Sequence, residues 1–270
     1  MTGESRAELV FRAAPEGRSY LARQFVPYPF HITRPFYLDE APAGLATVYL
    51  QSAAGGAYRG DRLSIALSAG EGAQAQVTTQ ASTIVHAGRG GLAALTQEVA
   101  VAPGGHLEYL PDPLILMAEA DCESRTEVAL AEEAVLLLSD SFLTHDHLKQ
   151  GRLPKRFVSE LRVRRGGATL LLDRFCLGEA AGSFAALGEH ACHAAFLAVA
   201  PQGAALAAAL RSRLAGLADL YGGVSLLPGG QGAWVRLLAR DGVALSRALV
   251  ALWQAARLHL TGVAPPRRRK

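Results

Sequence analysis

Two short groups of residues carry most of the metal-donor chemistry in this chain: His145-Asp146-His147, and Glu189-His190-Ala191-Cys192-His193. Imidazole nitrogen, carboxylate oxygen and thiolate sulfur suit nickel or zinc. On a strand His145 and His147 share a face, and on a helical turn His190 and His193 fit one side. Neither group alone closes a coordination sphere.

Other chemistries have less support. There is no G-x-S-x-G elbow, and Ser139, Ser141 and His145 do not form a recognisable triad. Gly88-Arg89-Gly90-Gly91 lacks the lysine and hydroxyl of a phosphate-binding loop, so any nucleotide hydrolysis must come from another protein. Cys122, Cys176 and Cys192 are widely spaced and odd in number, which fits reduced thiols rather than a disulfide framework. The alternative kept in view is a metal-dependent, cupin-like β-fold enzyme using His145 and His147. Such sites place a glutamate shortly after the H-x-H, whereas here Leu148, Lys149, Gln150 and Gly151 follow.

The elements that must position these residues are mainly strands. With 50% hydrophobic and 19% charged residues the chain can close a core. Its 270 residues fit one domain, β-rich over 1–200, helix-strand-helix over 201–264, with a basic tail over 265–270. From about Thr47 to Phe175 apolar residues alternate, as in Leu63, Ile65 and Leu67, in Ala73, Ala75 and Val77, and in Leu95, Val99 and Val101 around Gln97. Tight turns at Gly70-Glu71-Gly72, Pro103-Gly104-Gly105, Glu132-Glu133 and Gly166-Gly167 recur at intervals of roughly 30 residues, a spacing typical of stacked units. The expected fold class is mainly β, either stacked β-hairpin layers or an irregular β-sandwich, with two C-terminal helices. The first helix carries Leu206, Leu210, Leu214 and Leu217 and runs to Gly222-Gly223. The second starts after the N-cap Asp241, ends near Gly262, and packs Trp253 against the sheet.

The net charge of +3 resides in the last four residues, Arg267, Arg268, Arg269 and Lys270, which the pattern leaves as a solvated terminus. Residues 1–12 lack the apolar stretch of a signal peptide, and no run is long enough to span a membrane, so a cytoplasmic protein without nucleic-acid or membrane partners is expected.

Three ordered blocks are more specific than any of these features. Gly55-Gly56-Ala57-Tyr58-Arg59-Gly60-Asp61 resembles the G-G-x-x-x-G-D segment of the urease accessory protein family UreD, also called UreH. Thr78-Thr79-Gln80-Ala81-Ser82 and Leu107-Glu108-Tyr109-Leu110-Pro111 follow as that family's next blocks. The likeness extends through Asp140 and Gly151-Arg152 to Trp253, Arg257 and Pro265-Pro266-Arg267. It departs at Ile84 and His86, where lysine and tyrosine are usual, and at Lys155-Arg156-Phe157, which stands where G-E-x-F is usual.

The resemblance implies a non-catalytic role and a predominantly β fold. UreD proteins bind UreF, which recruits the GTPase UreG, and the assembly docks on apo-urease while nickel passes inward. No tightly bound cofactor is implied, only transient nickel. A polar conduit through a β-layer would hold the ion loosely with oxygen donors. Asp61, Thr78, Thr79 and Asp140 are its candidate lining, with Glu108 and His86 behind them. The alternative for Asp61 is a turn-capping role, and for the two threonines simple strand preference.

Overall fold

The alternation resolves into two sheets laid face to face. The computed structural model describes residues 3–88, 90–178, 182–266 and 268. Seven strands form the first sheet: β1 (Glu4–Ala13), β2 (Ser19–Phe25), β5 (Arg62–Ala69), β8 (Ala93–Val101), β11 (Asp121–Leu130), β13 (Arg156–Arg165) and β14 (Ala168–Gly178). They lie in the order β14-β13-β11-β8-β5-β1-β2. The second sheet holds β3 (Phe30–Ile32), β4 (Ala46–Ser52), β6 (Gln74–Thr79), β9 (His106–Leu110), β12 (Val135–His145), β15 (Cys192–Val199), β16 (Leu220–Leu226) and β17 (Gly232–Ala239). Its order is β16-β17-β15-β12-β9-β6-β4-β3, and two short strands, β7 (Ile84–Val85) and β10 (Leu114–Met117), extend it beside β12.

Stacked β layers with two C-terminal helices are as expected, but most of the tight turns do a different job from hairpins. Gly70-Glu71-Gly72 carries β5 of the first sheet into β6 of the second, and Pro103-Gly104-Gly105 carries β8 into β9. Glu132-Glu133 likewise joins β11 to β12, and only Gly166-Gly167 closes an antiparallel hairpin, β13 to β14. The chain therefore winds as a flattened coil whose successive turns add parallel rungs, β5-β8-β11-β13 on one side and β4-β6-β9-β12 on the other. The corners stack on one another through Gly72 N–H to Pro103 O and Val135 N–H to Gly105 O. Each corner needs one left-handed residue, supplied by Gly72, Gly104 and Glu133. That shared requirement is the source of the repeat in the sequence.

Alternation buries one face of each sheet between them. Leu67, Val99, Val128, Leu161 and Val163 meet Ala75, Val77, Leu107, Leu136 and Leu138 at the tight-turn end. Truncating one of these, such as Leu136, to alanine costs about 2–5 kcal/mol. At the opposite end the returns from the second sheet to the first are long; they contain β7, β10 and the first sequence block, while the second and third blocks run from the ends of β6 and β9 into them.

Helices α1 (Gly203–Ala215) and α2 (Gly242–Thr261) cover the outer face of the second sheet. Asp241 caps α2 by accepting from the N–H groups of Val243 and Ala244, and Gly262 ends it in the left-handed conformation. The first helix stops at Ala215, earlier than its leucine spacing suggests. Gly222 and Gly223 belong instead to β16, where a side chain at Gly222 would collide with the backbone of Arg236 and Leu237. Among the described residues no helix is long and apolar enough to cross a membrane.

Candidate functional site

A cavity of about 420 Å³ opens between the sheets at the end where the long returns lie. The three sequence blocks converge on it: Gly55 and Gly56 from the first, Thr79 to Ser82 from the second, Tyr109 and Pro111 from the third. Gly56 has φ near 140°, and a Cβ there would stand 2.2 Å from the carbonyl oxygen of Ile84, so only glycine lets this return pack onto β7. The deeper wall is polar. Gln97, Ser124 and Thr126 occupy inward positions of the first sheet that are otherwise apolar, and Asp140 faces them from β12. Thr126 donates its hydroxyl to Gln97 at 2.9 Å.

Asp140 is the carboxylate of the deeper wall, and Asp112 also lines the cavity. Among the described residues Asp140 accepts one hydrogen bond, from the Ser159 hydroxyl at 2.9 Å across the inter-sheet space. Burial raises its pKa above the ordinary carboxylate value; the Ser159 bond opposes the rise and the charge of Asp173 adds to it. An anion so poorly compensated gains from any cation that comes near it. On the deeper wall Asp140, the hydroxyls of Ser124 and Thr126 and the Gln97 amide make a weak oxygen-donor set, suited to holding a divalent ion briefly. Among the described residues no three His, Cys, Asp or Glu side chains converge as a metal cage.

The second sheet is interrupted next to this cavity. β9 pairs with β12 up to Tyr109 and Leu138, and β10 resumes pairing at Leu114 and Phe142. Between them Pro111-Asp112-Pro113 leaves the ladder, because proline cannot donate to it. Beyond the interruption, under α2, lies a smaller cavity of about 90 Å³. The two cavities share Pro111, Asp112 and Ser139 as lining.

Glu108, on the helix-facing side of β9, belongs to a closed network. Arg257 of α2 grips it through Nε at 2.6 Å and Nη2 at 2.7 Å, and Trp253 Nε1 and Gln76 each donate at 2.8 Å. His106 completes the set at 3.0 Å. Burial alone would raise the Glu108 pKa, but the His106 and Arg257 hydrogen bonds and charges outweigh it and hold it down at about 2. Arg257 also binds Asp39 at 2.9 Å and the Ala41 carbonyl at 3.0 Å. Glu108 has no capacity left for a passing ion.

The six expected lining residues thus separate. Thr79 and Asp140 line the larger cavity, and Thr79 accepts from Asp112 N–H at 2.8 Å. Thr78, one residue earlier, faces the helices by strand alternation, donates to the Leu110 carbonyl at 2.6 Å and borders the smaller cavity. Asp61 lines neither cavity. Its two oxygens accept from Gly3 N–H at 3.0 Å and Tyr58 N–H at 2.9 Å, which is the capping role. His86 stacks on Tyr58 with ring centroids 4.5 Å apart and contacts the Gly55 carbonyl at 2.9 Å, bracing the glycine return from outside.

The histidine groups are likewise dispersed. His145 ends β12 and His147 lies in the following loop, so they do not share a strand face. That loop is organised by Asp146, which accepts from the N–H groups of Leu148, Gln150 and Arg152, and these bonds hold its pKa low. His190 contacts the Leu187 carbonyl outside any helix, while His193 sits on β15 among Phe142 and Phe175, where burial and then Arg236 push its pKa down to about 4. Cys122 and Cys192 are buried, but Cys176 is exposed. The departure at Lys155-Arg156 is explained locally, since both side chains pair with Asp121. Arg89 of the glycine run lies outside the described residues, as do Arg267, Arg269 and Lys270 of the tail. Arg268 is not solvated: it reaches under α2 to Gln76 and Asp39.

Sequence reasoning missed Gln97, Ser124 and Thr126 as lining, although each is a polar residue at an inward place in an alternating strand. It also missed Asp39 as the partner of Arg257, for which local pattern offers no signal.

Comparison with known proteins follows the same blocks. The family model described as UreD urease accessory protein matches residues 3–270. "Urease accessory protein UreD 1" of Bradyrhizobium sp. (strain BTAi1) is 40% identical over 256 residues, covering 94% of this chain and 91% of that protein. Its namesake in Methylorubrum populi is 39% identical over 271 residues, covering 98% and 91%. That of Pseudomonas syringae pv. syringae is 38% identical over 271 residues, covering 98% and 95%.

Proposed function

The chain belongs to the UreD urease accessory protein family, and from that premise we propose that it is a non-catalytic cytoplasmic scaffold which conducts nickel toward apo-urease in company with UreF and UreG. One observation carries this reading: three sequence blocks converge on one cavity whose deeper wall is polar and holds an undercompensated carboxylate, Asp140. Nickel here is cargo. It enters the larger cavity, meets Asp140, Thr79 and Thr126, and passes the interruption at Pro111-Asp112-Pro113 toward the smaller cavity. Oxygen donors that exchange freely favour release over capture.

The cupin-like alternative gains no support from geometry, because His145 and His147 meet no third ligand among the described residues. The test is reconstitution of urease activation from apo-urease, UreF, UreG, GTP and nickel, with and without this chain. The reading expects activation to depend on the chain and on its forming a complex with UreF. Equal activation without it would reject the proposal.

A further inference from the structure

The two broad outer faces of the molecule handle charge differently. On the outer face of the first sheet the arginines are matched by carboxylates: Arg6 by Glu98, Arg23 by Glu8, Arg125 by Glu123, and both Arg162 and Arg174 by Glu160. The helical face has no such match. Neither α1, of 13 residues, nor α2, of 20, contains an aspartate or glutamate, although α1 exposes Arg211 and Arg213 and α2 exposes Arg247. Of the acidic residues that flank them, Asp219 lies past the end of α1 and Asp241 is spent on the cap of α2.

The same face carries exposed apolar side chains. The sheet-facing side of α2 is filled by Leu245, Ala248, Leu252, Trp253 and Ala256, yet Val243, Val250 and Leu258 are 61%, 46% and 49% exposed. Helical spacing places these three on one outward ridge, with Arg247 between the two valines. An arginine set among exposed aliphatic groups, with no acidic neighbour on its helix, has the composition of a protein interface rather than of a solvated helix. The ridge also borders the smaller cavity, whose lining includes Ser246, Leu249 and Val250. Ser246 and Val250 are exposed as well, so that wall reaches solvent.

What covers this face must bring the missing carboxylates. A second copy packed face to face would set arginine against arginine. A lipid surface would have to take in Arg247 along with Val243 and Val250, and the ridge has no aromatic residue of the kind that anchors helices in lipid headgroups. A dication in the smaller cavity meets the same deficiency, because α2 offers it no anionic donor.

We propose that the outward ridge of α2, with α1 packed beside it, docks a partner protein through a carboxylate-bearing surface, and that those carboxylates also take up the ion at the smaller cavity. The uptake rests on the conduit reading above; the docking does not. Binding of the full chain to UreF, to UreG and to apo-urease, separately and together, is measured for wild type, Arg247→Lys, Arg247→Glu and Val250→Asp. Both positions are exposed, so the variants should keep the wild-type thermal midpoint.

The proposal expects Arg247→Glu and Val250→Asp to weaken binding to at least one of these proteins about tenfold or more, Arg247→Lys to retain it, and added salt to weaken the wild-type interaction. Binding within about twofold of wild type for every variant overturns the docking surface. Wild-type binding that salt leaves unchanged overturns it too, and that measurement needs no variant to fold. Asp140→Asn separates the two readings, since it should bind every partner as wild type does while delivering less nickel. If it delivers nickel fully while Arg247→Glu fails to bind, the docking surface stands and the conduit reading fails. Co-sedimentation of the wild type, but not of Arg247→Glu, with phosphatidylserine vesicles would assign the ridge to a lipid surface and overturn the proposal.

Discussion

Glu108 and Asp140 stand on adjacent strands of one sheet and face opposite sides of it, Glu108 fully buried and Asp140 partly so, and their surroundings treat charge in opposite ways. Glu108 accepts from Arg257, Trp253, Gln76 and His106, and its pKa is held down at about 2. Asp140 accepts from Ser159 and has its pKa raised. A fully paired carboxylate fastens a helix to a sheet, whereas an undercompensated one is a cost the fold carries for another purpose. On that comparison the helix-side network is structural and the inter-sheet cavity is the place proposed for function.

The largest effect should come from breaking the paired side. Glu108→Ala takes from the buried Arg257 guanidinium the carboxylate it grips through two nitrogens, leaving it Asp39 and the Ala41 carbonyl, and should destabilise the protein by about 3–5 kcal/mol. A denaturant midpoint that drops accordingly, or loss of soluble protein, is the expected result; a shift below about 1 kcal/mol would remove the network from its structural role. Asp140→Asn should do the reverse: it keeps an acceptor for Ser159 and relieves a buried charge, so thermal stability at neutral pH should hold or rise.

Titration sharpens the same contrast. The depressed Glu108 pKa contributes stability that is complete above its unfolded value near 4.5 and lost as pH falls toward about 2. The raised Asp140 pKa has the opposite sign, because the folded state binds that proton more tightly, so stability falls as pH rises from the ordinary carboxylate value through the raised one. Comparing wild type with Asp140→Asn from pH 4 to 8, the stability difference should grow with pH in favour of the variant. A difference flat across that range would show that Asp140 is not titrating as described.

The smallest effect belongs to Asp61. With both its oxygens spent on the backbone N–H groups of Gly3 and Tyr58, Asp61→Ala should cost about 0.5–2 kcal/mol, the scale of a lost cap. Soluble yield should fall, while nickel delivered per assembled complex stays at the wild-type level. A fall in delivery at normal yield would return Asp61 to the path.

Much of this architecture was legible in the residues. Asp241 and Gly262 bound the last helix because capping chemistry is local, and the roughly 30-residue recurrence of turns reflected corners that each need a left-handed residue. Whether a turn closes a hairpin or crosses to another sheet depends on which strands pair, and Gly72 or Gly104 in isolation cannot say. Thr78 and Thr79 were grouped by adjacency, yet period two already assigns neighbours to opposite faces. Gln97 and Thr126 were readable in the same way, as polar interruptions of an inward apolar row. The bond from Arg257 to Glu108 spans 149 residues of sequence, and no periodicity encodes it.

The central claim is that the path lies between the sheets, at Asp140. The most direct measurement is the nickel content of urease after activation with wild-type or Asp140→Asn chain, at matched yield of the assembled complex and with the variant's thermal midpoint recorded. The account predicts several-fold less nickel per urease from a chain at least as stable as wild type. Full metallation by the Asp140→Asn chain would contradict it.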